Sequence, residues 1–196
     1  NVLPDFFDGE WGEIYAGGLN DLEVIRQKAT ESEDHSYYLI ATLMQAYTFQ
    51  MLADLYGEIP FSEALKGADE VQNLNPGFDN GADIYPELLN MIDEAVKRYE
   101  DATVAGEDPG ESDLIYGGDM NSWIQFANTL KLKMYIRMAY TSSADAGAVN
   151  ELLTDGNFIT SDATVSQFGA EEGKRNPFYE IQLDRLGGVN QRASNS

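Results

Sequence analysis

Apolar residues recur at intervals of three and four between Tyr37 and Tyr56, the spacing that places side chains on one face of an α-helix. A second apolar stripe follows the other side of the same segment and leaves little polar surface for solvent. The first stripe contains Tyr37, Ile40, Ala41, Met44, Tyr47, Met51, Leu52 and Leu55, and the second contains Leu39, Leu43, Ala46, Phe49 and Ala53. The pattern predicts a helix buried between two layers. It should end near Gly57 and Pro60, because glycine caps helices easily and proline cannot continue them.

Four further segments carry apolar stripes with helical spacing, at residues 11–29, 84–103, 121–140 and 144–153. Each stripe needs a partner surface. We therefore expect antiparallel pairs, in which the first helix packs on the second and the third on the fourth. The sequence predicts an all-α fold of stacked helix hairpins, without the strict repeat of ~34 residues of tetratricopeptide proteins, because the connections are too long.

Glycines interrupt the first of these helices. Its stripe includes Trp11, Tyr15 and Gly18, and each glycine costs roughly 1 kcal/mol relative to alanine in a helix interior. We expect Gly12, Gly17 and Gly18 to lie where another backbone comes close.

The connections at residues 57–83 and 104–120 are rich in Gly, Pro, Asn and Asp. Loops longer than ~12–15 residues are usually functional or disordered. Residues 157–196 show little periodicity. We divide the chain into a helical domain at 1–156 and an irregular segment at 157–196, which we expect to continue into a C-terminal region outside this sequence.

The charge balance restricts the partners. The chain has 34 acidic and 12 basic residues, a formal net charge of −22. Nucleic acids and anionic membrane surfaces both attract clustered Lys and Arg, so we expect neither as a partner.

The sequence has no cysteine, which excludes disulfides and a cysteine nucleophile. No apolar run approaches the ~20 residues of a membrane span. The first residues, NVLPDFFDGEW, do not resemble a signal peptide, and we expect the sequence to be an internal piece of a longer protein.

Few residues suggest catalysis or metal binding. His35 is the single histidine, and no nucleophile-elbow pattern accompanies it, so we interpret it as a helix-start or surface residue. An acidic cluster has oxygen ligands for calcium but not the spacing of an EF-hand loop, and we expect a solvated loop. The cluster consists of Glu107, Asp108, Glu111 and Asp113. We predict no catalytic residue, metal site or cofactor.

A seven-residue stretch of the fourth predicted helix contains three basic residues, which are Lys131, Lys133 and Arg137. We expect them to pair with acidic neighbours or to cover apolar surface, rather than to bind phosphate.

Aromatic residues make up 11% of the chain, including 11 Tyr and 2 Trp. Flat rings stack well on the apolar faces of sugars, so exposed rings near polar loops are candidate ligand contacts. Tyr47, Tyr99 and Trp123 fall on predicted buried stripes, and we expect them to serve packing alone. Another group lies beside a polar segment at the beginning of the chain and consists of Phe6, Phe7, Trp11 and Tyr15. From this group we select Phe6, Trp11 and Tyr15 as the candidate ligand-binding residues.

Four blocks of the sequence contain recognisable motifs. The run YYLIATLMQAYTFQMLADLYGEIPFSEAL, from Tyr37 to Leu65, combines a long helix with a Tyr-Gly-acidic-Ile-Pro turn, and in this it resembles the SusD/RagB outer-membrane lipoproteins. The remaining blocks follow the family's order. They are WGEIYAGGLNDL from Trp11, PGFDNGADIYPELLNMIDEA from Pro76 and LIYGGDMNSWIQFANTLKLKMYIRMA from Leu114. The resemblance covers nearly the whole chain but only the middle of the family, whose lipidated N-terminal cysteine is absent from this segment.

The resemblance implies tetratricopeptide-like helix hairpins with long irregular loops, and a non-catalytic protein at the outer membrane. It implies capture of oligosaccharides and their delivery to a SusC-like TonB-dependent transporter, with membrane attachment only through a lipid anchor outside this segment. Two alternatives stay open. One is a tetratricopeptide-like scaffold that binds a peptide or protein, and the other is a glycosidase that uses paired carboxylates.

Overall fold

The computed structural model of the chain describes residues 8–67, 74–171 and 173–180. The helices are α1 (Asp8–Gly12), a π-helical segment (Glu13–Leu19), α2 (Asn20–Glu31), α3 (His35–Tyr56), α4 (Gly81–Glu100), α5 (Met120–Met138), α6 (Ala146–Asp155) and α7 (Pro177–Tyr179), with a 3-10 turn at Gly110–Ser112. Two short strands, β1 (Glu58–Ile59) and β2 (Asp79–Asn80), pair antiparallel. The predicted all-α class is confirmed.

Helix α3 lies at the centre of the packing and contacts α2, α4 and α5. Its second apolar stripe is buried throughout, which confirms that the helix lies between layers. The first stripe is only partly buried, contrary to the prediction, because Tyr47 is 39% and Leu55 is 69% exposed. The three neighbouring helices therefore leave part of the circumference of α3 open.

Helices α3 and α4 run antiparallel and are joined at both ends. At one end, the backbone N–H of Gly81 donates to the carbonyl of Gly57 (2.8 Å) beside the β1–β2 pair. At the other end, the N–H of Ser36 donates to the carbonyl of Ala105 (2.9 Å), which follows α4. The first predicted pair, α2 with α3, is confirmed, but α4 packs more extensively on α3 than on α5. The backbone hydrogen bonds at both ends of the α3–α4 pair account for this difference.

Side-chain caps fix where the long helices begin. A carboxylate or amide oxygen one residue before each of four helices accepts a hydrogen bond from a backbone N–H of the first turn, which satisfies a donor that has no partner within the helix. These caps are Asp34, Asn80, Asp119 and Asp145. Helix α6 ends at Asp155, and Gly156 follows it in the left-handed conformation (φ 67°) that glycine adopts at low cost. The division of the chain near residue 156 stays a prediction.

The π-helical segment shifts the apolar stripe of the first helical region by one position. A π-helical turn contains more residues than an α-helical turn, and Leu19 is buried in the place that the sequence assigns to Gly18. Among the described residues, nothing lies within 4 Å of a Cβ built on Gly12, Gly17 or Gly18. No backbone within the described ranges therefore requires these glycines, contrary to the expectation.

Within the part of the chain that the structure describes, no helix is both long enough and apolar enough to cross a membrane.

Candidate functional site

Four aromatic rings gather at the C-terminal end of α3, and we call this group the aromatic platform. Trp11 is at its centre. The Trp11 ring centroid lies 4.8 Å from that of Tyr15, 5.2 Å from that of Tyr56 and 6.4 Å from that of Phe78. The Trp11 and Phe78 planes are nearly parallel at 14°, whereas Tyr56 meets Trp11 edge-on at 85°. These separations are typical of interacting aromatic pairs.

Three separate parts of the chain build the platform. Trp11 and Tyr15 are four residues apart on one helical face, Tyr56 is the last residue of α3, and Phe78 comes directly before β2. Phe78 is 65% exposed and Tyr56 is 43% exposed, whereas Trp11 and Tyr15 are half-buried. The platform therefore presents two accessible rings around a partly covered indole, which is the surface that a flat apolar face of a ligand needs.

Tyr15 is held in place by contacts with residues outside the platform. Its hydroxyl donates to the carbonyl of Pro60 (2.8 Å), and its ring meets the buried Phe49 ring with 6.2 Å between centroids. Burial, with the nearby charge of Asp79 adding to it, raises the pKa of Tyr15 well above its ordinary value. The hydroxyl is therefore a hydrogen-bond donor at neutral pH, and Tyr15 ties the first helical region to the turn after β1.

Asp79 organises the turn that carries Pro60. Its carboxylate accepts the backbone N–H of Phe61 (3.0 Å) and both the N–H (2.8 Å) and the hydroxyl (2.8 Å) of Ser62. Partial burial alone would raise the pKa of Asp79, but these hydrogen bonds hold it below its ordinary value. Since Phe78 is the preceding residue, Asp79 also fixes the backbone from which the most exposed platform ring projects.

The candidate ligand residues have different outcomes. Phe6 lies outside the described residues, as does Phe7. The structure brings Trp11 and Tyr15 into contact with each other. The sequence does not indicate Tyr56 or Phe78, because Tyr56 comes near Trp11 only when the first helical region packs on the end of α3, and Phe78 comes near only when β2 pairs with β1.

The remaining aromatic predictions are partly confirmed. Trp123 is fully buried and Tyr99 is half-buried, but Tyr47 lies at the surface. The Tyr47 ring carries the ammonium of Lys133 5.0 Å above its centroid and lies 6.2 Å from the ring of Phe126. A cation over an aromatic face is stabilising even at an exposed position, and this contact explains why Tyr47 does not need burial.

His35 is the first residue of α3, as the sequence predicts. It is half-buried, and its Nδ1 accepts a hydrogen bond from Nε of Arg98 (3.1 Å). The Arg98 guanidinium also lies 4.0 Å from the centroid of the Tyr38 ring. His35 therefore serves the contact between α3 and α4.

The acidic cluster is a solvated loop except at Asp113. Asp113 is buried and accepts the indole N–H of Trp123 (2.7 Å) together with the backbone N–H groups of Ile115 (3.0 Å), Tyr116 (3.1 Å) and Gly118 (3.0 Å). Burial opposes ionisation, but these donors hold the pKa of Asp113 below its ordinary value. The expectation of solvation is wrong for Asp113, because four donors replace its water.

The basic residues of α5 have acidic or aromatic partners, which confirms the expectation from the sequence. Lys131 pairs with Asp93 of α4, and Nη2 of Arg137 lies 3.1 Å from Oδ2 of Asp54 of α3. Across residues 8–67, 74–171 and 173–180, no group of three or more His, Asp or Glu side chains could hold a metal ion.

The comparisons with known proteins agree on one family. A SusD-like family model described as "Starch-binding associating with outer membrane" matches residues 1–193. A SusD/RagB family protein from Bacteroides thetaiotaomicron has a TM-score of 0.74 and 25% identity, over 95% of this chain and 38% of that protein. A SusD homolog from Parabacteroides distasonis has a TM-score of 0.73 and 22% identity, over 95% of this chain and 37% of that one.

A chitin-binding protein has a TM-score of 0.66 and 24% identity, over 83% of this chain and 33% of that protein. The similarities to the Parabacteroides distasonis homolog and to the chitin-binding protein, at 22% and 24% identity, concern the fold alone. No curated protein sequence matches the chain significantly. The chain thus spans 33–38% of the length of these three structures.

Proposed function

This chain belongs to the SusD-like family described as starch-binding and associating with the outer membrane, and from that membership we propose that it is the helical part of a non-catalytic, oligosaccharide-binding protein. In this proposal the whole protein is a lipoprotein displayed at the surface of the outer membrane. It captures glycan nutrients and delivers them to a SusC-like TonB-dependent transporter. The lipid anchor belongs to a part of the protein outside this segment.

The aromatic platform is the observation that carries the proposal. Exposed aromatic rings stack on the apolar C–H faces of sugars, and the platform combines the accessible rings of Tyr56 and Phe78 with the half-buried Trp11. A protein with a similar fold is described as chitin-binding, and we propose the same broad ligand class, a glycan, for this chain. A net charge of −22 favours a neutral ligand over an acidic one.

The rings alone support only weak binding. An aromatic contact contributes about 0.5–1.5 kcal/mol beyond its burial, so three rings supply about 1.5–4.5 kcal/mol. A Kd of 1 mM corresponds to about −4.1 kcal/mol. Useful affinity therefore requires polar contacts beside the platform.

The proposal is tested by titrating the full chain with neutral hexasaccharides, maltohexaose and chitohexaose, in isothermal calorimetry. We expect Phe78→Ala to weaken binding by about 2- to 10-fold, which is the loss of one ring contact. Phe78 is exposed, so this substitution leaves the core intact. The matched control is Phe168→Ala, which removes an exposed ring that is not part of the platform and should leave binding unchanged.

Three results would contradict the proposal. If neither hexasaccharide nor a wider panel of neutral glycans binds, the ligand class is wrong. If a panel of soluble hexapeptides binds instead, with the same dependence on Phe78, the chain is a peptide-binding scaffold. If the bound oligosaccharide is cleaved during prolonged incubation, as followed by chromatography of the products, the protein is an enzyme.

A further inference from the structure

A cavity of about 310 Å³ lies beside the C-terminal end of α3, between the beginning of α4 and the residues that follow α5, and several polar groups stand in its mainly apolar lining. We call it the hydroxyl pocket. Its lining combines one carboxylate, one guanidinium and four hydroxyl groups, from Asp54, Arg137, Tyr85, Thr141, Ser142 and Ser143. This composition differs from that of the aromatic platform, which is built from rings.

The charged groups of the hydroxyl pocket are held in place by each other. The Asp54 carboxylate accepts the hydroxyl of Tyr85 (2.5 Å) and the side-chain amide of Gln50, and it pairs with Nη2 of Arg137 (3.1 Å). Burial, with the bond to Asp54 adding to it, raises the pKa of Tyr85 to about 12, so this hydroxyl is protonated at neutral pH. The Asp54 side chain is 22% and the Arg137 side chain 58% exposed, so both are accessible. The polar groups are therefore arranged before any ligand arrives.

The chemistry of the hydroxyl pocket fits neighbouring hydroxyl groups of a sugar ring. A sugar hydroxyl both donates and accepts, and the pocket offers a carboxylate acceptor, a guanidinium with five N–H donors and serine hydroxyls that do both. The pairing with Asp54 uses Nη2 of Arg137. Tyr85 and Met138, which are both largely buried, form part of the pocket wall. An anionic ligand is disfavoured by Asp54 and by the net charge of −22, and a cation by Arg137.

The hydroxyl pocket and the aromatic platform each include one residue of the last turn of α3. Asp54 and Tyr56 are two residues apart in α3, which corresponds to about 200° around the helix axis. Phe78 of the platform and Gly81 of the pocket are joined by β2, and at about 3.3 Å per residue they are on the order of 10 Å apart. A short oligosaccharide can span this distance.

Gly57 directly follows Tyr56 of the platform, and Gly81 lines the hydroxyl pocket. Gly57 follows α3 with φ of 79°, and it accepts the N–H of Gly81 through its carbonyl. A Cβ on Gly81 would lie 2.9 Å from that carbonyl oxygen, and Gly57 is exposed. Neither glycine therefore contributes a side chain beside the platform or the pocket.

We propose that the hydroxyl pocket is a second sugar subsite, which binds one neutral pyranose unit of an oligosaccharide whose neighbouring part stacks on the aromatic platform across Gly57 and Gly81. This inference rests on the proposed function. The pocket supplies the polar contacts that the platform does not have, and it recognises the arrangement of hydroxyl groups on the ring. The platform supplies affinity that tolerates different sugars.

The test is nuclear magnetic resonance of the full chain, titrated with maltohexaose and chitohexaose. The indole N–H of Trp11 reports on the platform, and the backbone amides of Ala82, Ser142 and Ser143 report on the pocket. We expect both sets of signals to shift with one shared midpoint. If the Trp11 signal shifts while the pocket amides do not, the subsite is refuted and the proposed function stands. If no signal shifts with any neutral glycan, the proposed function fails and the subsite fails with it.

A substitution separates binding in the hydroxyl pocket from an indirect response. Arg137→Met keeps the apolar stem and removes the guanidinium, and we expect affinity to fall about tenfold because a charge-assisted hydrogen bond is lost. The control is Lys133→Met on the same helix, outside the pocket, which should leave affinity unchanged. Equal affinities of Arg137→Met and the unmodified chain, with the fold intact by circular dichroism, would overturn the proposal. So would saturation of the pocket amides by the hexapeptide panel.

Discussion

The contact between Asp113 and Trp123 offers a quantitative test of how the loop before α5 is held. The indole N–H donates to a buried carboxylate at 2.7 Å, and three backbone N–H groups donate to the same side chain. In Trp123→Phe the carboxylate keeps its three backbone donors, so the loss is close to that of one charged hydrogen bond, about 1.5–3 kcal/mol. The smaller ring adds roughly 1 kcal/mol of lost packing. We expect the free energy of unfolding to fall by about 2.5–4 kcal/mol.

Replacing Asp113 should cost more than replacing Trp123. Asp113→Leu leaves the indole N–H and three backbone N–H groups without their acceptor, and a buried unsatisfied donor costs about 1–3 kcal/mol. Both variants are measured by urea unfolding followed by circular dichroism, with Phe168→Leu, at an exposed position, as the control. If Trp123→Phe changes stability by less than about 0.5 kcal/mol, or if Asp113→Leu is the milder of the two, the anchoring role assigned to Asp113 is wrong.

Two further outcomes are expected. Leu43→Ala removes a fully buried side chain at the centre of α3 and should destabilise the fold by about 2–5 kcal/mol in the same urea assay. Leu55→Ala, on the exposed side of α3, should destabilise it far less. Equal losses of stability would contradict the assignment of the deep core to the second stripe. The folded-state pKa of Asp79 is below its ordinary value of about 3.9, so its hydrogen bonds contribute stability that is fully present above that value and is lost as the pH falls through the folded pKa. Asp79→Asn should flatten this part of an acid-unfolding curve, and an unchanged curve would exclude Asp79 as a source of acid sensitivity.

The periodicity of the sequence was sufficient to predict the long helices and the central position of α3. The pattern from Tyr37 to Tyr56 contains two apolar stripes, and a helix with two such stripes can only be stable between layers. Which stripe forms the deeper core depends on where α2 and α4 lie. That information is non-local, so the exposure of Tyr47 and Leu55 did not follow from spacing alone.

The π-helical segment shows why the first region was predicted less well. A regular period of 3.6 residues places Gly18 on the stripe that begins with Trp11 and Tyr15, whereas the π-helical turn brings Leu19 there. The pattern of Trp11, Tyr15 and Leu19, with a constant spacing of four, was the available signal. It is difficult to distinguish from a regular helix over so few residues.

Only half of the aromatic platform could be predicted from the sequence. Trp11 and Tyr15 are neighbours on one helix, so their contact could be anticipated. Tyr56 and Phe78 are separated from them by more than 40 residues, and the β1–β2 pair brings them together. Asp113 was assigned to solvent because its neighbours in sequence are acidic, although its partner Trp123 is ten residues away.

Because β1 pairs with β2, the distance between α3 and α4 does not depend on the length of the chain that connects them. Glu58 and Ile59 are hydrogen-bonded to Asn80 and Asp79, and the carboxylate of Glu63 accepts the N–H of Gly77. Doubling the length of a closed loop costs only about 0.6 kcal/mol. Insertions between Lys66 and Leu74 would therefore leave α3 and α4 in register, so this connection can change in length and sequence while the helix pair keeps its arrangement.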